Sequence, residues 1–114
     1  MSKMIPRNQW KWFGIAGHYI LGHRCQFHLT TQVGKYLIST VGERMEEGIQ
    51  QKVNHAWLYE TMVFFAGTPC TMEECHCGLP EHTGKCLDQK NYNERGLAQV
   101  GHMEMCIKFA KKKS

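Results

Sequence analysis

The sequence predicts an α+β fold: a small antiparallel sheet packed against a C-terminal helix, with a zinc-knuckle loop between them. Three observations point there. Residues 24–31 (RCQFHLTT) alternate, with Cys25, Phe27 and Leu29 on one face and Gln26, His28 and Thr30 on the other, which is the period of a half-buried strand. Residues 93–111 carry helix signals at both ends, with Asn93 as N-cap, Glu94 in the first turn and Lys108 and Lys111 in the last, matching the helix dipole. Between them, residues 67–87 hold Pro69, Gly78, Pro80 and Gly84, which forbid regular structure of any length.

The elements follow in chain order. Residues 1–22 are aromatic and rich in glycine (Gly14, Gly17, Gly22), which predicts irregular or short extended pieces. Residues 24–41 form a β-hairpin, because QVGK at 32–35 offers a glycine for the turn and YLISTV at 36–41 is rich in β-formers. In 43–54, Met45, Ile49 and Val53 recur every fourth residue, the pattern of a short amphipathic helix or an ordered connection, with Gly48 weakening the helix. Residues 57–65 (WLYETMVFF) read as a third strand, partly or wholly buried, 67–87 as a Cys-rich loop and 93–111 as the closing helix. At 114 residues the chain suits one domain, 1–114, since domains commonly hold about 100–150 residues.

Composition narrows the class. Apolar residues make up 42% and charged residues 21%, so the chain has the means to bury a core and is not a disordered segment. The longest apolar stretches, near 13–15 and 62–66, are far too short to span a bilayer, and the N-terminal residues lack a signal-like apolar run. The expected setting is therefore the cytoplasm, where thiols stay reduced and six cysteines read as metal ligands or small buried hydrophobes before disulfides. Charge is unevenly placed: residues 1–42 carry Lys3, Arg7, Lys11, Arg24 and Lys35 and no acid. Interleaved with Trp10, Trp12, Phe13, Tyr19, Phe27 and Tyr36, these cations make the combination a nucleic-acid surface needs, cations for phosphate and rings for stacking. Trp10, Lys11, Trp12, Arg24 and Lys35 are the candidate contacts; the plainer reading is that the rings form the core and the cations solvate it.

The strongest chemical signal is Cys70-x4-Cys75-x-Cys77 followed by His102-x3-Cys106. Zinc takes tetrahedral thiolate and imidazole ligands, commonly one close pair from a loop and a second from a helix. Four residues apart on a helix, His102 and Cys106 share a face, and that face is the apolar one. The expected ligands of a structural Zn2+ are Cys70, Cys75, His102 and Cys106, with Cys77 as the substitute and Cys86, His76 and His82 as spares. A structural zinc supplies on the order of 10 kcal/mol, enough to order a loop with little to bury. Buried or disulfide-bonded cysteines are the competing account, and no C-x-x-C pair supports a redox thiol.

A second cluster holds His18, His23, Cys25 and His28. A small metal-dependent hydrolase or nuclease would use His18, His23 and His28 with Glu43 or Glu60 as general base for a metal-activated water. The bland alternative, His23 and Cys25 half buried with hydrogen-bond partners, is favoured, because these two share a strand face while His28 falls on the other. There is no Walker loop, dinucleotide fingerprint or nucleophile elbow.

WKWFG (10–14), GHRCQFHLTTQVGKYLISTVGE (22–43), YETMVFFAG (59–67) and GHMEMC (101–106) resemble a family of small proteins encoded by phages and prophage-bearing bacteria. The likeness covers most of the chain, with 43–58 shorter here. The family carries no known activity, so it implies provenance only: a viral accessory protein acting inside the host bacterium, a class that commonly binds a host factor. The sequence reading is thus a zinc-stabilised, non-enzymatic binding module for a host protein or nucleic acid.

Overall fold

The computed structural model describes residues 5–14, 25–46, 48–52, 57–69 and 80–112. Among the described residues six strands, β1 (Trp10–Gly14), β2 (Cys25–Val33), β3 (Tyr36–Glu46), β4 (Ile49–Gln51), β5 (Tyr59–Pro69) and β6 (Pro80–Tyr92), precede one α-helix, α1 (Arg95–Ala110). The sheet is antiparallel in the order β1-β2-β3-β5-β6, and β4 adds a short pairing on β3. The α+β class and the helix on an antiparallel sheet stand as expected.

The β2–β3 hairpin forms where the alternation places it, with Val33 opposite Tyr36 and a two-residue turn at Gly34–Lys35. Gly34 takes φ 58°, a conformation a β-carbon disfavours. The described residues of the 43–54 segment are strand and turn, not helix: β3 runs on to Glu46, and after the turn at Gly48 (φ 79°) β4 pairs back on it. The four-residue spacing of Met45 and Ile49 is the accident of a hairpin, whose turn the glycine permits. The expected loop 67–87 is also shorter at both ends. β5 extends to Pro69 and β6 begins at Pro80, while residues 70–79 lie outside the described set. Proline is tolerated at the first residue of a strand, and Gly84 falls where the register jumps between Phe65↔Thr83 and Val63↔Asp88. At the helix start, Glu94 rather than Asn93 occupies the N-cap, and Asn93 Oδ1 instead accepts the Leu58 N–H at 3.0 Å.

Cross-strand register places Trp10, Val33, Tyr36 and Phe65 in one row across four strands, on the face that α1 covers. Val33, Tyr36, Ile38 and Val63 pack there against Met105, Cys106, Phe109 and Ala110. A second cluster, Leu29, Tyr59, Tyr92 and Ala98, sits under the first turns of the helix. The valine, isoleucine, leucine, methionine and phenylalanine side chains among these each contribute about 1.5–3 kcal/mol on full burial. Two glycines let aromatic rings close in: a β-carbon on Gly42 would lie 2.1 Å from the Tyr59 ring, and one on Gly101 would lie 2.0 Å from the Tyr92 hydroxyl. Among the described residues no helix is long and apolar enough to cross a membrane.

Candidate functional site

His102 and Cys106 do share the interior face of α1, between the two apolar clusters, and both are almost fully buried. What meets them there is a line of sheet threonines. His102 Nε2 lies 2.9 Å from Thr31 Oγ1, and its Nδ1 lies 2.7 Å from Thr40 Oγ1. Thr40 Oγ1 is 2.6 Å from Thr61 Oγ1, and Thr31 also bonds the Cys106 thiol. The result is a buried polar line, Cys106–Thr31–His102–Thr40–Thr61, joining α1 to three adjacent strands. Burial drives the imidazole pKa down to about 4 and the Cys106 thiol up to about 12. The neutral ring donates from one nitrogen and accepts at the other, so both of its polar atoms are matched. The Trp12 ring stands edge-on to His102, 5.9 Å between centroids.

These threonines are the partners that the helix half of the expected zinc set, His102 and Cys106, has in the described structure. A ligating imidazole must offer a nitrogen lone pair to the metal, and His102 has neither nitrogen unoccupied by a threonine. As placed, the pair is a hydrogen-bonded part of the core. Cys70, Cys75, Cys77 and the spare His76 lie outside the described residues; Cys86 is a half-buried free thiol bonded to the Asp88 carbonyl at 2.9 Å. Among the described residues no group of three or more His, Cys, Asp or Glu is arranged to hold a metal.

Of the alternative hydrolase set, His18 and His23 lie outside the described residues. His28 pairs with Val41, and Val41 with Glu60, leaving two strand spacings, about 10 Å of backbone, between them. Glu43 lies two residues beyond Val41 on β3. The Glu60 carboxylate accepts from Gln89 Nε2 at 2.8 Å.

The candidate contacts separate. Lys11 is exposed next along β1 from Trp10, Trp12 is exposed beside the helix, and Arg24 lies outside the described residues. Trp10 and Lys35, by contrast, meet at one end of the sheet. The Gly34 N–H donates to the Gln9 carbonyl, the Ala66 N–H to the Lys35 carbonyl, and the Ile5 N–H to the Ala110 carbonyl, which ties four separate segments together at that end. Arg7 lies over the Trp10 ring at 4.2 Å, Lys35 Nζ lies 5.5 Å from the Tyr36 centroid and 5.8 Å from that of Phe65, and Lys112 Nζ lies 5.4 Å from that of Phe109. Lys111 is exposed beside Lys112. The Asp88 carboxylate nearby is bonded to Lys108 at 2.5 Å, and that bond lowers its pKa.

Sequence reasoning found Trp10 and Lys35 but missed Arg7, Phe65 and the helix C-terminus as members of this end. Only the register and the chain-end pairing of Ile5 with Ala110 unite them. A groove of about 270 Å³ between β6 and α1 is lined by Asp88, Lys90, Tyr92, Glu104 and Lys108, charges of both signs. The chain matches no protein-family model, curated protein or solved structure.

Proposed function

We propose that the protein is a non-catalytic binding module that holds the phosphate backbone of a nucleic acid at the basic end of its sheet. The observation that carries this reading is the convergence of Arg7, Lys35 and Lys112, from three separate stretches of chain, around one row of aromatic rings. Tyr36 and Phe109 are buried and Trp10 is half-buried, with its indole N–H on the Ile5 carbonyl, so these rings belong to the core. Positive potential is what the end chiefly offers. Lysine and arginine on phosphate release condensed counterions, which makes binding independent of sequence and steeply dependent on salt. Three cations imply a log–log slope of about −2 on a single strand, hence an affinity loss of about 20-fold between about 50 and 200 mM salt. Anisotropy titration of a labelled oligonucleotide across that range tests it; salt-insensitive binding, or none, overturns it and returns the partner to the host-protein surface that the basic half also fits. The phage-family resemblance supports such a role in an infected bacterium by association only.

A structural Zn2+ belongs to the same proposal through the spacing of Cys70, Cys75 and Cys77. Neither helix residue supports it in its present bonding, so His102 would have to leave a threonine to join. Elemental analysis with thiol counting after chelation decides: about one zinc per chain supports the knuckle, and metal-free protein with full secondary structure removes it.

A further inference from the structure

Resting on that reading, we propose that the basic end takes single-stranded nucleic acid in preference to duplex, with one base stacked on Phe65. The three rings here are held in series. Phe109, on the helix, meets the Tyr36 ring edge-on at 4.9 Å between centroids, and Tyr36 stacks on Phe65 at 5.8 Å with 25° between planes. The first two are buried, whereas Phe65 is 39% exposed. An exposed large ring on its own means little. This one is different because its position is fixed from behind by two buried rings, and because cations border it.

Lys35 supplies the link between ring and phosphate. It is exposed, sits on the two-residue turn beside Gly34, and rests its ammonium over both Tyr36 and Phe65. A cation–π contact at an exposed site is weak, and a charge-assisted hydrogen bond to phosphate is stronger. An incoming strand therefore exchanges the ammonium for a base on the Phe65 ring while Lys35 moves to the adjoining phosphate. Lys112 over Phe109 and Arg7 over Trp10 flank the same row, so the backbone has further cations to follow. Every base has a π-face, which makes such stacking tolerant of sequence. A duplex keeps its bases paired and stacked inside the helix and can meet only the cations. An acidic protein surface would likewise use the cations, without a flat ring to lay on Phe65.

The test compares a labelled single-stranded oligonucleotide with a duplex of the same length, using wild type, Phe65→Ala, Phe65→Leu and Phe65→Trp, each checked by circular dichroism. Wild type is expected to bind the single strand more tightly. Phe65→Ala and Phe65→Leu should each lose about 5- to 100-fold on the single strand with little change on duplex, and Phe65→Trp should retain binding. Leucine keeps an apolar side chain at the position, so a loss in that variant reports the ring and not the packing. Equal binding of both nucleic acids, or a Phe65→Leu variant that binds the single strand as wild type does, overturns the base contact while leaving the cationic interface standing. Absence of binding to either nucleic acid by wild type overturns both.

Discussion

At the scale of single residues, the buried line through His102 makes the most definite claim. Its imidazole pKa is about 4 in the fold against 6.5 when free, so the unfolded chain takes up a proton in a range where the folded chain does not. A depressed histidine pKa means stability is fully present above about pH 6.5 and is lost as pH falls toward 4, by up to about 3 kcal/mol. Cys106 sets the opposite limit. Its thiol, raised from 9.0 to about 12, keeps its stabilising share below pH 9 and loses it as pH rises from there. Urea titrations from pH 4 to pH 8 should therefore show an acid limb that His102→Gln flattens. The same variant should cost about 1–3 kcal/mol at pH 7 through imperfect matching of Thr31 and Thr40. An acid limb unchanged in His102→Gln would show that other groups produce it. The helical spacing of His102 and Cys106 made their shared interior face legible. The threonines were not legible as their partners, because in sequence Thr31, Thr40 and Thr61 are simply β-branched residues in strands, and only register brings them under the helix.

At the scale of elements, local pattern was informative where it agreed with the tertiary setting. The alternation in β2, the β-rich run of β3, the apolar run of β5 and the charged ends of α1 all produced the expected elements. β6 escaped because Pro80 and Gly84 read as loop, yet one opens the strand and the other lies within its irregular register. β4 escaped because one turn of apolar spacing looks the same in a hairpin as in a helix.

Two glycines of α1 give a paired test of how packing overrides helix propensity. Gly96 has open space where a β-carbon would go, and Gly96→Ala should stabilise by about 0.5 kcal/mol. Gly101 has the Tyr92 hydroxyl there instead, and Gly101→Ala should destabilise by about 1–3 kcal/mol although alanine is the better helix former. Thermal melts of the two variants should move in opposite directions; parallel shifts would mean that Tyr92 does not sit against the helix as described.

At the scale of the whole molecule, topology turns a modest net charge of +4 into a local feature. The basic character of the N-terminal half was legible, but its partition was not: Arg7 and Lys35 lie over rings at the end that Lys112 shares, while Trp12 stands against His102. If these cations form the proposed interface, they act together on a polyanion. The most direct measurement is the salt dependence of oligonucleotide affinity for wild type and for the Arg7→Ala, Lys35→Ala, Lys112→Ala triple variant. The triple variant should bind more weakly at low salt, with a log–log slope shallower by about 2, three phosphate contacts having been removed. A variant that keeps both the affinity and the slope of wild type would mean that the nucleic acid binds elsewhere and that this end is not its interface.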